Sequence, residues 1–475
     1  MKVKDYQKEL VYKRKNFWEE ATEQEKKQVF DFADDYRKFL DRSKTERESV
    51  KYFAEILQEK GFQNIDENGK YNRLYRLSRQ KNVAIALVGK KPIKNGINLI
   101  VSHIDSPRVD LKQNPLSEDG TTKLGILKTH YYGGIKKYQW MSTPLSLHGV
   151  VITREGTRLD ISIGEKENDP VFAMPDLLPH LAHKEQYTKK IGEAIAAGHM
   201  NLIFNSIPYP DKEKNDDKIS ETVKLNALAI LHQKYGIREE DLLSAELQLV
   251  PAGKARNAGI DNSMVLAYGQ DDRICAYTSA MALFDLAKQQ PDKTAVVYLA
   301  DKEEIGSESN TGAKSIFILD FIADLLKSNS EPNDSTTLRK TLLNSQIISA
   351  DVNAGINPNY PGVHEKENAV HIGFGVSVTK YTGSRGKSSS NDANAEYNAK
   401  IIRIFNQEKV NWQIGSLGKV DEGGGGTIAK FMAEYGAEVI DCGPGVLGMH
   451  SLYELTSKAD IYSAYRAYKA FFSEA

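Results

Sequence analysis

Apolar residues recur at helical intervals in the N-terminal part of the chain. The clearest run consists of Val29, Phe32, Tyr36 and Phe39. Residues spaced by three and four positions lie on one face of an α-helix, so the run predicts an amphipathic helix. Two pairs have the spacing of a capping box, in which side chains close the first turn of a helix: Thr22 with Glu25, and Thr45 with Glu48. We therefore expect helices to begin directly after these two threonines.

Short apolar segments predict strands in three parts of the chain. Two segments come first, at 83–88 and 97–101, and alternating segments follow at 146–153 and 159–163. Beyond residue 250, strand candidates at 295–300, 345–350 and 438–441 alternate with helix candidates at 274–286 and 459–472. Strands separated by helices are typical of α/β sheets, whereas alternating segments broken by turns are typical of antiparallel sheets.

These patterns predict an α/β fold in which a mixed sheet is flanked by helices and interrupted by a β-rich insertion. Residues 1–115 would form the first part of the α/β domain and 251–475 its second part, with the insertion at 116–250. The insertion also carries a charged, turn-rich loop at 210–220.

Composition narrows the class of protein. The 475 residues are 40% hydrophobic and 27% charged, the balance of a globular protein with a large core. Lys and Arg number 63 against 64 for Asp and Glu, and a net charge of −1 argues against nucleic-acid binding through phosphate contacts. Two distant cysteines fit a reducing compartment. Without an apolar leader at 1–20 or a long apolar stretch, we expect a cytoplasmic protein that does not bind membranes.

The first residues that could form a metal site lie directly after the strand predicted at 97–101. His103 and Asp105 follow it two positions apart, which puts both side chains on one face of an extended chain. His103 could then bind a metal while Asp105 accepts a hydrogen bond from the other ring nitrogen. Taken alone, the segment could equally be a polar strand end closed by Ser106 and Pro107.

Two further acidic pairs lie at the ends of predicted elements and could also bind a metal. Asp271 and Asp272 stand directly before a predicted helix, where they could cap its N-terminus or bridge two cations. Glu303 and Glu304 follow the strand predicted at 295–300, and one of them could bind a metal while its neighbour moves a proton. A solvated acidic surface remains the other interpretation of the glutamate pair.

Asp351 and His450 are the remaining candidate metal ligands. Asp351 closes the strand predicted at 345–350, and His450 follows the one at 438–441. Loops at strand ends can converge side chains on one point, and a mixture of imidazole and carboxylate suits Zn²⁺, Mn²⁺ or Co²⁺ better than Ca²⁺. The combination predicts a metal site formed by His103, Asp271, Glu304, Asp351 and His450.

Read together, five segments resemble the aspartyl aminopeptidase family of dinuclear metallopeptidases, in its bacterial branch. They are VSHIDSPRVDLK at 101–112, YGQDDRICA at 268–276, LADKEEIGSES at 299–309, SADVNAGINPNY at 349–360 and LGMHSLYEL at 447–455. Their order and spacing extend the resemblance over essentially the whole chain.

The resemblance implies a metallo-aminopeptidase that holds two divalent ions, Zn²⁺ first among them. It implies that Asp271 bridges the ions, and that Glu303 acts as general base and acid while Asp105 orients His103. His103 and Asp351 would complete one metal site, and Glu304 and His450 would complete the other.

The resemblance also implies an assembly of twelve identical chains that cleaves short peptides. The insertion would be a dimerisation domain, and His180 matches a histidine that the family contributes to a neighbouring subunit's site, with His183 close by. In the family's substrate pocket a lysine serves acidic side chains. Here Arg385 lies near that position, and Lys380 and Lys387 are further candidates, which leaves a preference for acidic N-terminal residues open.

Two other functions compete with this expectation. An amidohydrolase that cleaves N-acyl amino acids could use the same metal architecture, and it would not need a free α-amino group. The other alternative is a non-catalytic scaffold that keeps the twelve-chain assembly and has lost catalysis. The presence of Glu303 and all five predicted ligands argues against it.

Overall fold

The computed structural model describes residues 3–67, 69–210 and 220–475. Most of the predicted loop at 210–220 therefore lies outside the described residues. The helices are α1 (Val3–Leu10), α2 (Phe17–Glu20), α3 (Glu23–Arg42), α4 (Glu46–Glu59), α5 (Ile191–Ala194), α6 (Thr222–Tyr235), α7 (Glu239–Leu242), α8 (Gln270–Leu286), α9 (Phe317–Ser328), α10 (Ser335–Leu343), α11 (Ala395–Gln407), α12 (Ala429–Ala433) and α13 (Lys458–Glu474). Within the described residues, no helix has the length and apolar character needed to span a bilayer.

The strands are, in chain order, β1 (Gln63–Asn64), β2 (Arg73–Ser78), β3 (Asn82–Leu87), β4 (Asn98–His103), β5 (Arg108–Glu118), β6 (Gly125–Tyr132), β7 (Leu145–Ile152), β8 (Arg158–Ile163), β9 (Leu202–Asn205), β10 (Glu246–Pro251), β11 (Arg256–Ala258), β12 (Met264–Ala267), β13 (Ala295–Ala300), β14 (Gln346–Ser349), β15 (Asn353–Ala354), β16 (Val376–Thr379), β17 (Trp412–Ile414), β18 (Glu438–Gly443), β19 (Gly445–Leu447) and β20 (Glu454–Ser457).

The chain divides into two compact units. The first comprises Met1–Asp105, Ala255–Met449 and Tyr453–Ala475, and the second comprises Ser106–Lys254 and His450–Leu452. The predicted division at 116 and 250 stays a prediction, and these units divide the chain at slightly different positions.

A nine-stranded mixed sheet organises the first unit, in the order β1-β2-β3-β13-β4-β14-β18-β16-β17. Its centre is parallel, because β4 pairs in parallel with β13 and β14, and β14 pairs in parallel with β18. The carboxyl ends of β4, β13 and β14 therefore meet at one edge of the sheet. A smaller sheet, β11-β12-β20-β19-β15, belongs to the same unit. The predicted α/β class is confirmed.

The central strands are buried on both faces, which explains their continuous apolar sequences. In β3, Val83 and Ile85 belong to the core that contains α3, α4, α8, α11 and α13. Ala84 and Ala86 point to the opposite core, which contains α9 and α12. Successive side chains of a strand point to opposite faces, so one strand serves two cores.

Capping boxes start two helices of the first unit, as the sequence predicts. Thr22 caps α3 and Thr45 caps α4, and each accepts the N–H of a glutamate three residues later whose side chain returns the bond. These reciprocal bonds satisfy N–H groups that the first turn of a helix leaves without a partner.

The second unit is built on a six-stranded antiparallel sheet, in the order β8-β7-β10-β5-β6-β9. Its core includes the fully buried Trp140 and residues of most strands. The predicted strands at 146–153 and 159–163 correspond to β7 and β8. The sequence did not predict α6, which contributes Ala227 to this core.

Candidate metal centre

His103 is the last residue of β4, where it pairs with Ala300 of β13. Its side chain is buried, and its Nδ1 lies 3.0 Å from the carbonyl oxygen of Asp105 and 3.3 Å from Oδ1 of the same residue. Nδ1–H can donate to that carbonyl, which leaves Nε2 as a metal ligand. Nε2 faces Oδ1 of Asp271 at 3.3 Å.

Asp105 also fixes the glutamate pair that follows β13. Lys302 adopts φ +70, and the chain then makes a short 3-10 turn, Glu303–Ile305. The N–H of Glu303 donates to Oδ1 of Asp105 at 3.1 Å, and the N–H of Glu304 donates to Oδ2 at 3.2 Å. Asp105 therefore holds the backbone of both glutamates as well as facing the His103 ring. The sequence had indicated only the second of these contacts.

Asp271 and Asp272 lie in an irregular entry to α8. Both residues have non-helical backbone angles, and the peptide bond between them is cis. The N-cap residue is Gly269, which has no side chain to close the first turn, so the helix-capping interpretation of this pair does not hold. Oδ2 of Asp272 instead accepts the backbone N–H of His103 at 3.4 Å.

Two groups of possible metal ligands share His103. One consists of His103, Asp271 and Glu304, and the other of His103, Asp272 and Asp351, with ligand atoms within 4.8 Å of one another in each group. Asp272 was not among the predicted ligands. The signal that could have found it is its position beside Asp271 before a helix.

The donor set fits divalent cations of the zinc type. Several carboxylates surround a single imidazole, and imidazole with carboxylate suits Zn²⁺, Mn²⁺ or Co²⁺. Oδ1 of Asp272 is buried and accepts no hydrogen bond within the described part of the chain. A buried oxygen of that kind is costly unless a cation or a donor compensates it, so the residues fit a bound metal.

The electrostatics of the cluster agree with this fit. Burial lowers the pKa of His103, but hydrogen bonds to Asp105 and Asp271 outweigh it and hold the pKa well above its usual value. Burial, followed by the negative charge of Asp272, raises the pKa of Asp351 well above its usual range. Crowded, buried carboxylates disfavour their charged forms, and a bound divalent cation would offset that repulsion.

Two predicted site residues belong to the second unit. His450 has φ +65, and its Nδ1 lies 3.1 Å from the carbonyl oxygen of Gly134 in that unit. His180 is exposed in a 3-10 turn, Pro179–Leu181. Their roles as metal ligand and substrate contact stay predictions.

Lys380 and Arg385 lie elsewhere in the first unit, in the lining of a cavity of about 310 Å³. Lys380 and Lys387 both form ion pairs with Asp392. Since β16 runs antiparallel to β18, Lys380 follows β16 away from the edge where β4 and β14 end. The roles of Lys380 and Arg385 as substrate contacts stay predictions.

A family model described as "Aminopeptidase I zinc metalloprotease (M18)" matches residues 39–472. The "Probable M18 family aminopeptidase 1" of Borreliella afzelii is 47% identical over 466 residues, which cover 97% of this chain and 100% of that one.

Solved structures give the same result. The crystal structure of an M18-family aminopeptidase from Thermotoga maritima superposes with a TM-score of 0.91 at 45% identity, covering 98% of this chain and 100% of that one. The yeast mApe1 dodecamer, at 22% identity, shares the fold with a TM-score of 0.74 and covers 94% and 97% of the two chains. With a cluster of zinc-type ligands at the edge of its central sheet, the chain belongs to the M18 family of zinc metalloproteases and is an aminopeptidase.

Proposed function

We propose that this protein removes the N-terminal residue of short peptides with the help of two divalent ions, most naturally Zn²⁺. The observation that carries the proposal is the pair of ligand groups that share His103. His103 and Asp351 would serve one ion, and Glu304 would serve the other. Asp271 would reach both ions, and His450 would complete the ligand set. When bound, the two ions would polarise the scissile carbonyl and make the attacking water more acidic.

Glu303 is the proposed proton carrier. Its Oε2 lies 4.0 Å from Nε2 of His103, and its side chain is 17% exposed, so it borders the cluster while remaining open to water. The carboxylate would take a proton from the attacking water and pass it to the leaving amine. Asp105 supports this step because it fixes the backbone of Glu303 and the ring of His103 at the same time.

The competing amidohydrolase can be separated from the aminopeptidase by one chemical change. A substrate's free α-amino group should bind beside the ligand cluster, which would restrict cleavage to chain ends. Acetylating the N-terminus of a peptide should therefore abolish cleavage by an aminopeptidase and leave cleavage by an N-acyl amidohydrolase intact. Cleavage of the acetylated peptide at the rate of the free one would overturn the proposal.

We propose a substrate preference that is not restricted to acidic N-terminal residues. Two of the three cations that could select an acidic side chain, Lys380 and Lys387, are engaged by Asp392, and the third, Arg385, stands where the family has a lysine. Aminoacyl p-nitroanilides of Asp, Glu, Leu and Lys, assayed with Zn²⁺, Mn²⁺ and Co²⁺, give the test. Activity confined to the Asp and Glu substrates would assign the acidic preference instead.

The assembly and the location also belong to the proposal. A solved relative is a yeast dodecamer, and a twelve-chain shell would admit short peptides while excluding folded proteins. The cytoplasmic location expected from the sequence stays a prediction, which cell fractionation can check.

A further inference from the structure

The backbone that presents Asp271 is irregular, and contacts with side chains hold it in place. Gly269 lies in the left-handed region at φ +64, and Asp271 and Asp272 depart from helical angles before α8 becomes regular. A segment of this kind lacks the repeating hydrogen bonds that fix a helix. Its conformation must therefore be stabilised by neighbouring elements.

The strand β20 supplies one such neighbour, Glu454, which is buried. Oε2 of Glu454 accepts the backbone N–H of Asp271 at 3.0 Å. In the opposite direction, Nε2 of Gln270 donates to the carbonyl oxygen of Glu454 at 2.6 Å and to that of Val265 at 3.2 Å. Glu454 thus contacts two successive residues of the irregular segment, through its side chain and through its main chain.

The small sheet fixes Glu454 itself. Glu454 pairs with Ala267 across β20 and β12, and β12 leads directly into the segment that contains Asp271. On the other side, Arg273 donates to the carbonyl oxygens of Gly269 at 2.8 Å and Tyr268 at 3.0 Å. The two ends of the segment are therefore tied to the same sheet and to one buried guanidinium.

We infer that Glu454 is a positioning residue for the metal centre and that it sets the orientation of Asp271 through the Asp271 N–H. The inference rests on the proposed role of Asp271 as the carboxylate shared by two ions. A shared carboxylate must present both oxygens at fixed positions, so a small rotation of its backbone weakens two metal sites at once. Glu454 also lies four residues after His450, so one short segment would supply a ligand and the support of another.

The test uses metal-free protein titrated with Zn²⁺ in competition with a chromogenic chelator. We expect Glu454→Ala to weaken zinc binding by about 10- to 100-fold, the usual effect of removing a group that orients a ligand. Glu454→Gln keeps an oxygen that can accept the Asp271 N–H, so it should bind zinc with an affinity close to that of the parent. If Glu454→Ala does not fold, Glu454→Asp replaces it, because its shorter side chain cannot make the same contact.

Asp460→Asn is the matched control. Asp460 is also a buried carboxyl that accepts backbone N–H groups, from Gly373 at 2.6 Å and Gly375 at 2.7 Å. Burial raises the pKa of Asp460 to about 8, and asparagine keeps one of its two accepting oxygens. This variant should keep the zinc affinity of the parent even if its thermal midpoint falls.

Three outcomes overturn the inference. They are parental zinc affinity in Glu454→Ala, equal weakening in Asp460→Asn, and a Glu454→Gln variant that binds as poorly as Glu454→Ala. A parent protein that binds no zinc and cleaves no peptide would overturn the proposed function, and this inference with it. If the parent protein binds two ions, the zinc affinities of the Glu454 variants alone test this inference.

Discussion

At the scale of single residues, Asp105 serves three groups at once. Its Oδ1 faces Nδ1 of His103 and accepts the N–H of Glu303, and its Oδ2 accepts the N–H of Glu304. A carboxylate can accept several hydrogen bonds without rearrangement, whereas an amide offers one accepting oxygen. This single side chain thus ties the end of β4 to the turn after β13.

Replacing Glu303 with glutamine should separate metal binding from catalysis. The amide keeps the shape of the side chain but cannot accept the proton of the attacking water. We expect kcat to fall by roughly 10²- to 10⁴-fold while the zinc content stays at the parental value. Glu308→Gln is the control, because Glu308 belongs to the same acidic run but is exposed and paired with Lys314. Near-parental turnover in Glu303→Gln would remove the proposed base.

Alanine at the proposed ligands should lower metal content as well as activity. We expect a loss in His103→Ala, Asp271→Ala and His450→Ala, with the greatest loss in Asp271→Ala because that carboxylate would serve both ions. Elemental analysis after dialysis against trace zinc measures it, with the exposed Asp320→Ala as control. Full occupancy in all three ligand variants would contradict the ligand set.

At the scale of elements, the site depends on how closely the end of β18 approaches Asp351, two residues after β14. A Cβ added to Gly443 would lie 2.0 Å from the carbonyl oxygen of Asp351 and 3.2 Å from Sγ of Cys275. No side chain fits there without moving the backbone. Glycine at this position therefore lets Asp351 lie against β18.

Gly443→Ala should displace Asp351 and impair the metal centre. The overpacking should cost about 1–3 kcal/mol of stability, and zinc affinity should fall because a ligand has moved. Differential scanning fluorimetry and zinc titration measure the two effects. Gly386→Ala is the control, since a Cβ there meets no atom within 4 Å. Unchanged zinc affinity in Gly443→Ala would show that Asp351 tolerates the shift or does not bind metal.

At the scale of the whole molecule, the predicted site residues belong to both units. The first unit contains the cluster around His103, and the second contributes an antiparallel sheet together with His180 and His450. The second unit also exposes large apolar side chains, among them Leu177, Leu178 and Leu181. Apolar side chains exposed together are typical of surfaces that contact other chains.

Light scattering coupled to gel filtration should show a particle of about 640 kDa, twelve times the chain mass of 53.1 kDa. If His180 reaches a neighbouring site, activity should fall when the particle dissociates, and His180→Ala should lose activity without losing zinc. His199→Ala, another exposed histidine of the second unit, is the control. A fully active single chain would contradict both the shell and the shared site.

The amino-acid sequence by itself determined several of the elements and the identities of the chemical groups. Apolar runs such as 295–300 predict strands, and threonine–glutamate pairs predict the starts of α3 and α4. Local patterns succeed here because propensity and hydrogen bonding act between residues close in sequence. The same local patterns do not predict α6, because its apolar residues are not concentrated on one face of the helix.

Only the tertiary structure decided which groups meet. The parallel register of β4, β13 and β14 brings His103, Glu304 and Asp351 to one edge, and the irregular entry to α8 adds Asp272 to the ligand groups. The antiparallel direction of β16 keeps Lys380 away from that edge, and β20 brings Glu454 to Asp271. These contacts join residues far apart in sequence, and distances across a sheet follow from strand order and direction, which no local pattern encodes.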